Sequence, residues 1–174
     1  MKVTPLDAPS LTTERLRLRM LQESDFEEYA AIHMDPEVTR YTLRTQLNRM
    51  EAWRHLATMV GHWHLRGFGM WGVFEKSTGA LVGRVGFHEP DGWPEFELGW
   101  TIGRNWWGKG YATEAAMRCV DFAFHEMNRE HLISLIDPQN TASIRVAERI
   151  GEKVEGEVKL NEHRLIVYGI RSSS

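Results

Sequence analysis

The chain contains almost no cysteine, no cluster of basic residues and no long apolar run. Cys119 is the only cysteine among 174 residues, so no disulfide can form within the chain, which is compatible with a reducing compartment. The formal net charge is −3 and no basic stripe is present, which argues against a nucleic-acid partner. No segment approaches the ~20 apolar residues of a membrane helix, and the N-terminus lacks the apolar core of a signal peptide. We therefore expect a cytoplasmic protein with neither a membrane nor a nucleic-acid partner.

The rest of the composition is that of an ordinary globular domain. Hydrophobic residues make up 42% of the chain and charged residues 26%. The length suits one domain, because domains commonly have ~100–200 residues. We expect an extended lead-in over residues 1–10, a single domain over residues 11–171 and a short tail over residues 172–174.

Hydrophobic periodicity predicts seven strands and four helices. The strands are expected at about residues 15–20, 70–75, 81–87, 95–102, 131–136, 154–158 and 165–170, and the helices at about 25–34, 45–65, 110–127 and 140–151. The strand–helix–strand unit over residues 95–136 requires parallel pairing, whereas the hairpins elsewhere require antiparallel pairing. The prediction is a mixed α/β (α+β) domain with a central sheet of about seven strands and helices on both faces.

Residues 106–114 form the segment with the strongest chemical signal. Gly108 and Gly110 remove side chains where a ligand could approach the backbone, and Lys109 adds a positive charge. The unpaired N–H groups and the dipole of the following helix favour a pyrophosphate. A lone Gly-x-Gly is explained equally well by a tight turn. The dinucleotide fingerprint is broken at Thr113, and no Walker loop is present.

Three segments together resemble the GNAT acetyltransferases, in the branch typified by the ribosomal-protein N-terminal acetyltransferases RimJ and RimL. They read LTTERLRLR over residues 11–19, ELGW through ATEAA over residues 97–116, and NTASIRVAERIG over residues 140–151. The resemblance implies two parallel strands that splay apart to hold acetyl-CoA. It also implies an enzyme that transfers acetyl from acetyl-CoA to a primary amine by direct attack in a ternary complex, without a metal. The alternative is a domain of the same fold that binds CoA or senses a ligand without catalysis.

The resemblance assigns the cofactor contacts to one strand, the glycine loop and two helix starts. They are Thr101, Ile102, Trp107, Gly108, Lys109, Gly110, Tyr111, Ala112, Thr113, Asn140 and Ser143. The backbone of Thr101 and Ile102 is expected to pair with the pantetheine arm, and Asn140 is expected to hold the pantetheine amides.

Amine acetylation requires a base, because an alkylamine has a pKa of about 10 and is protonated at pH 7. Glu97 is the leading candidate, since it lies on the strand that precedes the glycine loop. His88, at the end of the preceding strand, and Glu95, two residues before Glu97, are the alternatives. A water relay to one of these groups would serve equally.

The C-terminal cofactor helix departs from the family pattern at two positions. Many relatives carry a tyrosine that protonates the leaving thiolate where this chain has Ala147, and a phenylalanine where it has Glu152. Ser143 is the nearest hydroxyl that the motif places, so we interpret it either as the acid or as a cofactor contact. The acceptor, a peptide N-terminus or a small amine, and the state of the protein as monomer or homodimer stay open.

Overall fold

A mixed sheet of eight strands forms the centre of the structure, a computed structural model that describes residues 8–172. The strands are β1 (Leu11–Thr12), β2 (Leu16–Arg19), β3 (Met70–Glu75), β4 (Leu81–His88), β5 (Glu97–Ile102), β6 (His131–Ile136), β7 (Lys153–Leu160) and β8 (His163–Arg171). Across the sheet they lie in the order β1-β2-β3-β4-β5-β6-β8-β7, and β5 with β6 is the parallel pair. The predicted mixed sheet is confirmed, with the short β1 as an additional edge strand.

Five helices accompany the described strands. They are α1 (Phe26–His33), α2 (Pro36–Thr39), α3 (Arg49–Arg66), α4 (Tyr111–His125) and α5 (Thr141–Arg149). None of the helices within residues 8–172 has the length and hydropathy needed to cross a membrane. Of the expected lead-in and tail, residues 1–7 and 173–174 lie outside the described part of the chain.

Alternate side chains of β3 point to opposite faces of the sheet and divide the core in two. Met70 and Phe74 pack with α1 and α3 on one face. Trp71 and Val73 pack on the other face with α4, where the Trp71 ring meets the Phe122 ring edge to face at 5.5 Å. Cys119 of α4 is fully buried in this second layer. The helices therefore cover both faces, and the cysteine is a core residue.

The second long helix begins later than the sequence prediction over residues 45–65. Asn48 caps it, since its side chain accepts the Glu51 N–H at 3.0 Å and its own N–H donates to the Glu51 carboxylate at 2.8 Å. The helix ends at Gly67, which adopts a left-handed backbone with φ 75°. Residues 40–48 are consequently a loop, which covers one end of the sheet.

The parallel strands β5 and β6 separate after a single register pair, Glu97 opposite Ile133. Beyond that pair, side chains take the place of backbone hydrogen bonds. The Ser134 hydroxyl lies 2.7 Å from the Leu98 carbonyl, and the Leu135 N–H donates to the Glu97 carboxylate at 3.3 Å. The expected splay is present, and it leaves strand edges that an extended ligand can reach.

The turn between β1 and β2 is attached to the start of α4 through Glu114. Its carboxylate accepts hydrogen bonds from the Thr13 hydroxyl, from the Arg15 N–H at 2.9 Å and from the Arg15 Nε at 2.7 Å. Arg15 also donates to the Lys109 carbonyl at 2.9 Å. Two segments that are about a hundred residues apart in sequence thus form one unit around the glycine loop.

Replacing Glu114 with Ala should lower the free energy of unfolding by about 1–3 kcal/mol, because several charge-assisted hydrogen bonds are lost together. Urea denaturation followed by circular dichroism measures this. Glu37→Ala is the matched control, since its pair with Arg40 at 3.7 Å is exposed and should change stability by less than about 0.5 kcal/mol. Equal effects in the two variants would contradict the role given to Glu114.

Candidate functional site

A cavity of about 370 Å³ opens where β5 and β6 separate. Its walls come from α3, from β4, β5 and β6, from residues 41–44 and from the start of α5, and the hairpin between β7 and β8 closes one side. Glu97, His88, Thr101, Asn140 and Ser143, which the sequence analysis singled out, all line it. The fold therefore brings two of the three base candidates and the start of the second cofactor helix to one cavity, whereas the glycine loop is not part of its lining.

Glu97 is held at the point where the strands part. Its carboxylate accepts the indole N–H of Trp93 at 2.8 Å and the backbone N–H of Leu135 at 3.3 Å. Burial raises the pKa of Glu97 to about 7, although both donors and the charge of Arg84 act to lower it. A carboxylate with this pKa can take up and release a proton near neutral pH.

His88 is the direct cross-strand partner of Glu97. Its ring stacks on His62 with centroids 5.4 Å apart and meets Trp93 edge to face at 4.8 Å. Burial, followed by the charge of Arg84, lowers the pKa of His88 to about 4, so the ring is neutral at pH 7. β5 begins at Glu97 and not at the predicted residue 95, so Glu95 lies before the strand. The Glu95 carboxylate lies outside the cavity, 2.5 Å from Nδ1 of His131.

The start of α5 forms the opposite wall of the cavity. The Asn140 side chain caps this helix by accepting the Ser143 N–H at 3.1 Å. The Ser143 hydroxyl accepts the indole N–H of Trp100 at 3.2 Å, which leaves its own proton free to donate. Ala147 is fully buried in a cluster with Ile136 and Tyr168, and its own methyl group offers no donor.

The glycine loop has the backbone geometry that an anion site needs. Gly108 and Gly110 have φ of 76° and 78°, and Gly110 is the residue before the first turn of α4. The first-turn N–H groups, from residue 111 to residue 113, have no acceptor within the helix. The Lys109 ammonium lies 4.5 Å from the centre of the Trp106 ring. Dipole, amides and ammonium together favour a phosphate group here.

The side chains of the remaining loop residues either pack against the domain or lie at its surface. The Tyr111 side chain is buried, and its hydroxyl donates to Glu75, whereas Ala112 and Thr113 are partly buried. The Trp107 ring is half-exposed, and its N–H donates to the Ile102 carbonyl at 2.7 Å. The backbone N–H groups of residues 111–113, rather than these side chains, are available to a ligand.

The register of β5 decides which of its backbone groups face the splay. Thr101 pairs with Arg84 of β4, and the Gly103 N–H donates to β4 at 2.9 Å, so the backbone of Thr101 faces β4. Leu98, Trp100 and Ile102 face β6 instead, because backbone groups alternate along a strand. Of the two residues that the sequence analysis assigned to pantetheine pairing, Ile102 faces the splay, whereas Thr101 offers its side chain to the cavity.

A buried chain of polar groups crosses the base of the splay, and the sequence analysis did not find it. The single proton of the Ser134 hydroxyl can reach either the Leu98 carbonyl at 2.7 Å or the Glu152 carboxyl at 2.8 Å. A carbonyl only accepts, so both bonds form when Glu152 is protonated and donates to Ser134. Burial, and less strongly the nearby charge of Glu97, raises the pKa of Glu152 to about 8, which agrees with a protonated Glu152 at neutral pH.

Three further residues at the site carried no signal in the sequence. Ser134 is one polar residue in an apolar strand, and Arg84 is one basic residue in another. Trp93 lies in the loop before β5, only four residues before the Glu97 that it contacts. Ser134 and Arg84 function through neighbours on other elements, which a one-dimensional pattern does not identify.

Comparison with known families gives one consistent result. A family model described as the acetyltransferase (GNAT) domain matches residues 15–153. The chain is 32% identical over 151 residues to the uncharacterized N-acetyltransferase p20 of Bacillus licheniformis, with 84% of each chain covered. The resemblance drawn from three sequence segments is confirmed.

Solved structures with the same fold cover nearly the whole chain. The acetyltransferase from Agrobacterium tumefaciens has a TM-score of 0.85 and 32% identity over 99% of both chains. A provisionally named ribosomal-protein-serine acetyltransferase from Vibrio cholerae has a TM-score of 0.78 and 26% identity over 98% of this chain and 100% of its own. RimL, the ribosomal L7/L12 alpha-N-protein acetyltransferase solved with coenzyme A, has a TM-score of 0.74 at 19% identity over 91% and 95% of the two chains, a likeness of fold.

Glu152→Gln should flatten the dependence of stability on pH. The raised pKa means that the folded state holds a proton on Glu152 which the unfolded state releases, so stability falls as pH rises from about 4.5 to about 8. The amide keeps a donor for Ser134 and cannot ionise. Urea denaturation at several pH values gives the free energy of unfolding as a function of pH. Its decrease per pH unit should be smaller in Glu152→Gln than in the wild type by up to about 1.4 kcal/mol. Glu130→Gln, at an exposed site, is the control, and a slope unchanged in both variants would show that Glu152 is ionised throughout.

Proposed function

We propose, because this chain belongs to the GNAT acetyltransferase family, that it transfers an acetyl group from acetyl-CoA directly to a primary amine. The observation that carries the proposal is the Glu97 carboxylate, with its pKa raised to about 7, inside the cavity where β5 and β6 separate. The acceptor is an amine that reaches Glu97 from the face of the sheet covered by α1 and α3.

The described residues offer groups that suit the pyrophosphate and the pantetheine arm of acetyl-CoA. The backbone amides after Gly108 and the dipole of α4 suit the pyrophosphate. The edge of β5 between Leu98 and Ile102 can pair with the amides of an extended arm as a neighbouring strand would. Asn140 and Ser143 face that arm from α5. A coenzyme held in this way brings its thioester beside Glu97.

Glu97 has the position and the ionisation of a general base. Trp93 and Leu135 orient its carboxylate, and near pH 7 a substantial fraction of it is free to accept a proton. It would remove the proton from the ammonium of the acceptor, directly or through one water, and the neutral amine would then attack the thioester. His88, neutral and opposite Glu97, is the second group that could relay this proton.

Ser143 is the hydroxyl that can donate to the leaving thiolate. Its oxygen accepts from Trp100, which orients its proton toward other partners in the cavity. A thiol of ordinary pKa near 8.5 leaves without obligatory protonation, so a hydrogen bond suffices in place of the missing acid at Ala147. Cys119 is fully buried in the core and takes no part, and direct transfer needs no acyl-enzyme.

Release of free thiol from acetyl-CoA in the presence of an amine panel tests the proposed function. An amine that accelerates thiol release and becomes acetylated, as shown by mass spectrometry, is the expected result. Tight binding of acetyl-CoA with no acceleration by any amine would favour the alternative, a CoA-binding module without catalysis.

Glu97→Gln should lower kcat by about 10²-fold or more while acetyl-CoA affinity stays nearly constant, because only proton removal is lost. In the wild type, kcat/KM should rise as pH passes about 7, where Glu97 loses its proton, and the variant should lack this inflection. Glu95→Gln is the matched control, since Glu95 lies outside the cavity beside His131. An unaltered pH profile in Glu97→Gln would transfer the role of base to His88.

Gly110→Val should weaken acetyl-CoA binding more than tenfold, which corresponds to over 1.4 kcal/mol. A β-branched side chain is strained at φ 78°, and its Cβ would lie 3.6 Å from Arg15 Nη2 in the loop that we propose for the pyrophosphate. Gly79→Val is the control, since Gly79 has φ 76° and open space around it in the turn between β3 and β4. Calorimetry measures acetyl-CoA affinity in both folded variants, and Gly79→Val shows the effect of backbone strain alone. Unchanged affinity in Gly110→Val would show that the loop is not part of the acetyl-CoA site.

A further inference from the structure

Arg84 is a buried cation on the wall of the cavity. It lies on β4, is 8% exposed and faces the same side of the sheet as His88, four residues further along the strand. Its Nε donates to His33 of α1 at 3.2 Å, which orients the guanidinium plane. The His33 ring is in turn stacked on Tyr29 at 4.0 Å. The position of Arg84 is thus set by a packed support on α1.

The donors of Arg84 are mostly unused. A guanidinium has five N–H groups, and within residues 8–172 the one hydrogen-bond partner found for it is His33. No carboxylate of the described chain lies within 4.0 Å of it, in contrast to Arg44, which is paired with Asp137 at the same cavity. A buried charge without a counter-ion is costly, so an arrangement of this kind favours binding of an anion.

The groups around Arg84 do not neutralise it. Burial, followed by the charge of Arg84, lowers the pKa of His55 to about 3 and that of His88 to about 4, and the pKa of His33 lies well below its ordinary value. These rings are therefore neutral at pH 7. Glu97 is the one cavity-lining carboxylate that is not held in an ion pair, and its own protonation is half complete near pH 7.

Thr101 places a second unused donor beside Arg84. The two residues are direct cross-strand partners on β5 and β4, so their side chains lie on the same face. The Thr101 hydroxyl is buried and has no hydrogen-bond partner in the described structure. A guanidinium fork and a hydroxyl side by side form a site that suits the oxygens of a carboxylate or a phosphate.

We propose that Arg84 and Thr101 bind an anionic group, a carboxylate or a phosphate, on the acceptor, so that the substrate is an amine that also carries a negative charge. The inference rests on the proposed function, since Glu97 would receive the amine end of the same molecule. Thr101 lies four residues from Glu97 along β5, which is about 13 Å of extended strand. The side chains of Glu97 and Arg84 shorten the span that the acceptor must bridge. Its amine and its anion would therefore be several ångströms apart. Simple polyamines lack the anion.

The test compares paired acceptors in steady-state acetylation. One series consists of unbranched amino carboxylates of increasing chain length, a second contains their uncharged primary amides, and a third contains aminoalkyl phosphates. The wild type should have a KM for the best anionic acceptor at least tenfold below that of its amide. A preference between the carboxylate and phosphate series identifies the anion.

Arg84→Gln should raise KM for the anionic acceptor at least tenfold more than KM for the amide. The two acceptors are compared at a pH where Glu97 is deprotonated in both proteins, because loss of the Arg84 charge also raises the pKa of Glu97. Thr101→Val, which keeps the shape of the side chain, should raise KM in the same selective way, and it tests the inference if Arg84→Gln folds poorly. Arg54→Gln, at an exposed position of α3, is the control. Acetyl-CoA affinity, measured by calorimetry, should be equal in all these proteins.

Two results would overturn the inference while the proposed function stands. The first is a wild type that acetylates amines without preference for an anion. The second is an Arg84→Gln variant that loses equal activity on the anionic acceptor and on its amide and whose kcat/KM profile is displaced in pH. Arg84 would then act through Glu97 and not on the acceptor. Calorimetric binding of the amino carboxylate to the CoA-loaded protein tests the subsite without turnover. Binding that Arg84→Gln abolishes supports the subsite even if no thiol is released, whereas absence of binding to the wild type contradicts it.

Discussion

The separation of β5 and β6 is the constraint on which the rest of the site depends. Parallel strands in the middle of a sheet normally share a continuous ladder, since unpaired backbone groups are costly when they are buried. Here the ladder stops after Glu97, and the Ser134 hydroxyl and the Glu97 carboxylate take over part of the pairing. The same side chain that satisfies the strand edge is therefore the one positioned to accept a proton. The cavity, the position of the proposed base Glu97 and the free edge of β5 are consequences of one interrupted strand pair.

Two buried acids at the splay differ in what surrounds them. Glu97 receives two N–H donors, which partly offset its burial and keep its pKa near 7. Glu152 faces the Ser134 hydroxyl, and its second oxygen has no partner within residues 8–172, so the protonated form is the one that fits. Burial thus keeps Glu152 itself uncharged below about pH 8.

The two faces of the sheet divide the chemistry between them. Leu98 and Trp100 point toward α4 and α5, where the coenzyme would lie, whereas Glu97 and Thr101 point toward α1 and α3. A carboxylate on the second face would meet an acceptor that approaches from the opposite side to the coenzyme, as the proposed direct transfer requires. Arg84 lies on that second face, which is why it bears on the acceptor and not on the coenzyme.

The sequence by itself determined the mixed sheet, the glycine loop at the start of α4 and the small set of residues from which the base is proposed. These follow from local signals: strand and helix periodicity, a glycine pair and short motifs. It predicted less well where strands and helices begin, because caps such as Asn48 depend on a few hydrogen bonds. Only the tertiary structure decided that Thr101 turns its backbone away from the splay, that Ser134 meets Glu152, and that Arg84 has no counter-ion. Those facts depend on cross-strand register, and register is set by contacts between residues far apart in the chain, which no local pattern records.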